Sequence, residues 1–158
     1  MRVPAIILLG AALQSASGDE QPWPTHTICS TSKLQAYYRS CDPLQDVGLS
    51  ISPCSVEMTG KINSRVLLIL RQSVEELYLS ADVYYNGYFF HHYDITLCEP
   101  EFPRFMFCGY KRGELITQEN PVSINLEVIP KGHLNMKGIL VNQNGFQIAC
   151  INATIIRT

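Results

Sequence analysis

The sequence predicts an all-β fold, an antiparallel two-sheet β-sandwich. Apolar and polar residues alternate with a period of two along most of the chain. Turn-forming residues punctuate those runs at short intervals, and helix signals are thin. Turn density alone fits a sandwich or a barrel. With no helical segment to cover an outer sheet face, two sheets must turn their dry faces toward each other.

The first alternating run sets Val47, Leu49 and Ile51 against Gly48, Ser50 and Ser52, and Pro53-Cys54 stops it. Ile62 to Leu70 (INSRVLLIL) is apolar on both faces past Arg65, which suits a central strand or one lying against another apolar surface. Ser73-Val74-Glu75-Glu76 has the spacing of a capping box and predicts at most a short helical turn. Leu77, Leu79, Ala81 and Val83 then return to period two. Asn86-Gly87 and Asn144-Gly145 predict hairpin turns, because both residue types tolerate the positive φ of a type I′ turn. Ile124, Leu126 and Val128 alternate with Ser123, Asn125 and Glu127, up to a turn at Pro130-Lys131-Gly132. Leu134 and Met136 alternate with His133, Asn135 and Lys137, and in the last strand Phe146 and Ile148 alternate with Gln147 and Ala149.

Residues 1–18 read as a secretory signal. Arg2 is the basic start, Val3 to Leu13 the apolar centre, and Ser15 to Gly18 supply small residues for cleavage after Ser17 or Gly18. The uncharged run from Val3 to Gly18 is 16 residues, short of the ~20 apolar residues that span a bilayer. Charged residues interrupt every later apolar run, and the chain closes on INATIIRT. The expectation is one soluble, secreted, extracellular domain over residues 19–158 with no membrane span.

Six cysteines follow the signal: Cys29, Cys41, Cys54, Cys98, Cys108 and Cys150. In an exported domain an even count implies three disulfides. A structural zinc site wants C-x₂₋₄-C pairs, and the closest cysteines here are ten apart. Without Arg2 the chain has 11 basic and 14 acidic residues, a net charge of −3, and no basic run longer than Lys111-Arg112. That excludes the electrostatic footprint of a nucleic-acid binder. At 46% hydrophobic residues, the chain is not disordered.

Catalytic signatures are missing: there is no G-x-S-x-G, no H-E-x-x-H and no Gly-rich phosphate loop. The residues therefore point away from an enzyme. His91 and His92, adjacent on a strand, point to opposite faces and cannot chelate one ion together, so no metal site is expected. Asp42 precedes Pro43, where an Asx turn explains it better than a carboxylate pair with Asp46. Asn152-Ala153-Thr154 is an N-glycosylation sequon on a secreted chain. Lys111-Arg112-Gly113-Glu114 reads as a charged turn rather than a recognition patch. Tyr84, Tyr85, Tyr88, Phe89, Phe90 and Tyr93 crowd around Asn86-Gly87; both faces of a hairpin are not dry so near its turn, so part of this surface meets a ligand or partner.

Trp23-Pro24-Thr25-His26, Cys29-Ser30, the run Tyr38-Arg39-Ser40-Cys41-Asp42-Pro43-Leu44-Gln45-Asp46, Glu76-Leu77-Tyr78-Leu79, Phe107-Cys108-Gly109, Lys111-Arg112-Gly113-Glu114 and Ala149 to Ile155 together resemble the ML lipid-recognition family over essentially the whole mature chain. The resemblance implies an immunoglobulin-like β-cup whose sheets splay around an apolar cavity for acyl chains. It also implies the bridges Cys29–Cys54, Cys41–Cys150 and Cys98–Cys108. The expected cavity residues are Val47, Leu49, Ile51, Ile62, Val66, Leu68, Leu77, Leu79, Phe105, Phe107, Ile124, Leu126, Val128, Leu134, Phe146 and Ile148. No cofactor is implied beyond a bound lipid or phospholipid-like acyl ligand. The implied partner is the leucine-rich-repeat ectodomain of a Toll-like-receptor homologue on B cells, which would hold the protein at the cell surface and engage it in innate immune and lipopolysaccharide responses; a homo-oligomer is compatible with this. Where relatives grip lipid phosphates with cations at the cavity rim, this chain has no Lys or Arg between Tyr78 and Glu101. Arg104, Lys111, Arg112 and Lys131 are left for that role. The alternative reading is a structural module or chaperone for its receptor, with a solid core and no lipid.

Overall fold

The computed structural model describes residues 23–102, 104–126 and 129–158, without the side chains of residues 58–60, 120 and 122–126. The expected signal, Val128 and the side chains of Ile124 and Leu126 therefore lie outside the described residues. Among the described residues there is no helix, and nine strands run in the order β1 (His26–Ser30), β2 (Leu34–Ser40), β3 (Gly48–Ser52), β4 (Met58–Ile69), β5 (Leu77–Tyr85), β6 (Tyr88–Cys98), β7 (Leu115–Leu126), β8 (Gly132–Asn142) and β9 (Gln147–Arg157). They form a six-stranded sheet, β1-β2-β9-β8-β5-β6, and a three-stranded sheet, β3-β4-β7, antiparallel throughout. This is the two-sheet sandwich that the alternation predicts.

β4 is the central strand of the smaller sheet, which explains its run of apolar residues. Its inward residues Ile62 and Leu68 are buried, while Leu67 and Ile69 face out and are exposed. Pro121 lies on β7, an edge strand, where a missing backbone donor is tolerated. Asn86 and Gly87 turn β5 into β6 at φ 48° and 86°, as a type I′ turn requires. The β8–β9 turn is organised by buried Asn142. Its Oδ1 accepts from the Asn144 and Phe146 amides (3.1 and 3.0 Å), and its Nδ2 donates to the Ser73 carbonyl (2.9 Å).

No helical turn forms at Ser73–Glu76. Val74 is fully buried and bridges Tyr110, donating to its carbonyl (2.9 Å) and accepting from the Gly109 amide (2.6 Å). The Glu75 and Glu76 amides go to Gln143 Oε1. Those backbone groups find tertiary partners, so the local capping pattern has nothing left to satisfy.

Two apolar clusters fill the space between the sheets. One gathers Val47, Leu68, Leu70, Val74, Leu77, Cys98, Ile116 and Ile148; the other gathers Cys29, Leu34, Ala36, Ile62 and Ile129, with Ile51, Leu134 and Ile155 against it. On β4, β8 and β9 the members of the two clusters fall at opposite strand ends, so the clusters occupy opposite ends of the sandwich.

Candidate functional site

The two long flanks of the sandwich differ. On one, β1 lies against β3 and the sheets meet. On the other, among the described residues, no Cα of β6 comes within 8 Å of one in β7. The backbones of the two sheets make no close approach there.

The closed flank is sewn by polar groups. The Tyr38 hydroxyl donates to the Val47 carbonyl (2.5 Å) and accepts from the Leu49 amide (2.9 Å), joining β2 to β3. Asp46 accepts from Ser40 Oγ (2.5 Å) and the Val47 amide (2.9 Å), and its other oxygen meets His26 Nε2 (2.7 Å). Burial pushes the Asp46 carboxyl up, but the bonds from Ser40, His26 and Val47 outweigh it and hold the group below its ordinary value. Burial raises the Tyr38 hydroxyl, so it stays a neutral donor. Asp42 accepts from the Leu44 amide (2.9 Å), the Asx turn expected before Pro43, and pairs with Arg71, whose Nε donates to Gln45 Oε1 (2.8 Å). Asp42 and Asp46 thus serve separate networks. Cys29–Cys54 and Cys41–Cys150 lie on or beside this flank, and Cys98–Cys108 closes the loop after β6 on the other, the pairing that the resemblance implies.

On the open flank an apolar pocket of about 190 Å³ lies between the sheets. Its walls are Ser64, Val66 and Leu68 from β4, Ile116 and Gln118 from β7, and Leu77, Leu97 and Leu140 from the larger sheet, with Phe105 and Phe107 from the disulfide loop. Those two rings stack at 5.1 Å and 8°. Outside them a second depression of about 370 Å³ shares Phe107, Ile116 and Gln118 and extends to Met106 and Tyr110. A larger groove, about 570 Å³, lies on the outer side of the closed flank beside Leu44, Leu67, Ile69 and Leu115. The inner pocket is the better candidate for a long apolar ligand, because its walls are almost wholly apolar and include Phe105 and Phe107, whereas His26, Asp46 and Arg71 line the groove.

Of the expected cavity residues, Val66, Leu68, Leu77, Phe105 and Phe107 line this pocket, and Val47 and Ile148 are buried in the adjoining cluster. Ile51, Ile62 and Leu134 belong to the cluster at the other end. Leu49 is half-buried on β3, and half-buried Leu79 packs over Gly138. Phe146 corrects its expectation: it is 50% exposed on the β8–β9 turn. Leu140 pairs with Ala149 and Val141 with Gln147, so Ile148 is the extra residue of a bulge and the inward–outward alternation is lost before reaching Phe146. A second bulge makes Leu97 the extra residue between Thr96 and Cys98, and Leu97 lines the pocket although alternation did not single it out. Ile116, Gln118 and Leu140 were also missed, although Ile116 and Gln118 continue the period-two pattern of β7.

The remaining motifs lie elsewhere. His91 packs edge-on against Tyr93 (4.4 Å), while His92 on the opposite face bridges Asp82 (2.7 Å) and Asp94 (3.1 Å). The bond to Asp82 raises the His92 pKa, with Asp94 adding to it. Lys111–Glu114 is a turn tied to the end of β4 through Gly113 and Glu114, and Lys111 pairs with Glu75 (3.0 Å). Asn152 is exposed on β9.

The ML domain family model matches residues 35–156. Lymphocyte antigen 86 of Mus musculus is 38% identical over 148 residues, covering 94% of this chain and 91% of the mouse protein. The Homo sapiens protein of the same name is 38% identical over 142 residues, 90% of this chain and 88% of its own length. Among solved structures, chicken MD-1 complexed with lipid IVa superimposes with a TM-score of 0.78 at 38% identity, over 85% of this chain and 98% of the chicken chain.

Proposed function

The chain belongs to the ML domain family, and from that premise we propose that it is a secreted, non-enzymatic lipid-binding protein that takes acyl chains between its sheets. The observation that carries this reading is the pocket walled by Val66, Leu68, Leu77, Ile116 and Phe107 on the flank where the sheets do not meet. Burial of acyl chains is favourable by ~0.8 kcal/mol per CH₂ without any polar anchor. The complex of the similar chicken protein with lipid IVa supports the same ligand class. Three disulfides suit an exported domain, with residues 1–18 as its signal. Its partner is the leucine-rich-repeat ectodomain of a Toll-like-receptor homologue on B cells, and its setting is innate immune and lipopolysaccharide-response signalling. The family premise supports both, as does the name of the mouse and human relatives, a lymphocyte antigen.

The test is lipid extraction and mass spectrometry of the purified protein beside its Val66→Trp variant, which sets an indole into the pocket. Acyl lipid on the wild type, lost from a variant of near-native thermal midpoint, is the expected result. A wild type that carries no lipid and takes up no apolar dye overturns the reading. The second reading, an interaction module with a solid core, draws support from the size of the inner pocket, about 190 Å³ against ~300–1,000 Å³ for most small-molecule sites. Under it Val66→Trp overpacks and costs ~1–3 kcal/mol.

A further inference from the structure

The hairpin at the end of β5 and the start of β6 carries Tyr84, Tyr85, Tyr88, Phe89 and Phe90. Tyr88, Phe89 and Phe90 are 80%, 60% and 65% exposed, and β6 is wet on both faces from Tyr88 to Ile95. So much aromatic surface left in water marks a contact still to be made. The tip is held firmly. The Asn86 amide donates to the His133 carbonyl (2.8 Å), Asn86 Oδ1 accepts from the His133 amide (2.9 Å), and the Tyr85 hydroxyl donates to the Lys131 carbonyl (2.6 Å). A rigid tip loses little entropy when it binds.

Charge is unevenly distributed along the sandwich. Toward the end that bears the tip stand Lys33, Lys61, Lys131 and Arg157, against Glu57 and Asp82 among the described residues. The opposite end mixes Asp42, Asp46, Glu75, Glu76, Glu99, Glu101 and Glu114 with Arg71, Arg104, Lys111 and Arg112, and the whole chain is net negative. Tyr and Phe flanked by Lys suit the headgroup layer of a membrane, where rings sit at the water–hydrocarbon boundary and ammonium groups meet lipid phosphates.

The geometry points to this end of the sandwich as a docking surface for an anionic lipid bilayer, with Tyr88, Phe89 and Phe90 entering the headgroup layer beside Lys131. An edge strand with both faces wet is accommodated from every side by a fluid layer, whereas a protein partner has to match it with a shaped groove. The surface goes beyond the pocket reading. Leu77, in the pocket wall, and Tyr85, at the tip, lie eight residues apart on β5, about 26 Å along the strand. Docking therefore does not require an occupied pocket; only the supply of acyl ligand from the bilayer would link the two.

Flotation of the full secreted protein with vesicles of phosphatidylcholine, alone or with a minority of phosphatidylserine, tests the proposal. The protein should float with the serine-containing vesicles, less with phosphatidylcholine alone, and less again in raised salt. Phe89→Ser with Phe90→Ser should weaken flotation about tenfold or more, and Lys131→Glu should remove the preference for phosphatidylserine. Should the double variant fail to secrete, Tyr88→Ser replaces it. A wild type that stays in solution with both vesicles overturns the proposal, as does a double variant that floats unchanged. Sedimentation without vesicles covers the competing occupant: a dimer that the double variant dissolves, with no flotation, assigns the tip to a second copy of the chain. Extracted lipid is measured in parallel. Retained lipid without flotation sinks the docking surface alone, and flotation without lipid sinks the pocket alone.

Discussion

The flank where β1 meets β3 and the flank where β6 and β7 part are built from different chemistry. The first is held by directional bonds: the Tyr38 hydroxyl between two backbone groups of β3, the Asp46 carboxylate among Ser40, Val47 and His26, and the Asp42–Arg71–Gln45 network. The second joins β6 to β7 by no cross-sheet hydrogen bond of this kind among the described residues; its walls are mostly apolar, and the Phe105–Phe107 stack stands there on a disulfide loop. Hydrogen bonds fix a distance, whereas apolar contacts tolerate a changed one. A sandwich clasped along one edge can open along the other without losing its register.

The largest expected effect separates the bridges. Cys41–Cys150 closes 109 residues beside the clasp, and Cys98–Cys108 closes 10 on the open flank. Chain entropy makes the first worth about 4.7 kcal/mol and the second below about 3 kcal/mol. Replacing Cys41 and Cys150 by Ser should therefore lower secreted yield and thermal midpoint more than replacing Cys98 and Cys108. Equal losses would mean the clasped side is not where stability is concentrated.

Next comes the clasp itself. Asp46→Asn leaves Ser40, Val47 and His26 with a poorer acceptor and should cost about 1–3 kcal/mol in chemical denaturation. The pH dependence has a definite sign. Because the folded carboxyl lies below its ordinary value, its contribution is complete above ~4 and is lost as pH falls through the folded value. The wild type should lose stability into strong acid more steeply than Asp46→Asn; parallel acid limbs would remove Asp46 from the clasp.

On the open flank the effect on stability should be smallest. Phe105→Ala removes one ring of a stacked pair, a loss of about 0.5–1.5 kcal/mol beyond the area the half-buried ring covers, yet it should lower bound lipid several-fold by mass spectrometry. A large drop in stability with lipid unchanged would make Phe105 an ordinary core residue.

Much of the fold was legible because local pattern and tertiary demand agree. Val47-Gly48-Leu49-Ser50-Ile51 reads as a strand and is one, and Asn86-Gly87 turns as its residue types require. The failures came where a distant partner decides. Ser73–Glu76 looks like a helix start until Tyr110 and Gln143 take its backbone bonds. Phe146 keeps the correct parity on paper, but the bulge at Ile148 resets it. The clasp was invisible because its members lie far apart in sequence: Arg71 is 29 residues from Asp42 and His26 is 20 from Asp46. Alternation also cannot distinguish splayed sheets from packed ones, since both turn the same side chains inward.

Hydrogen exchange on the delipidated and lipid-loaded protein tests most directly whether the open flank is where ligand enters. Amides of β6 near Ile95 to Cys98, of β7 near Leu115 to Glu119 and of the Phe105–Tyr110 loop should gain protection on loading. Those of Asp46 to Ser50 on the closed flank should not change. Protection that rises equally on both flanks, or only around Asp46 to Ser50, would contradict a sandwich clasped on one side and filled from the other.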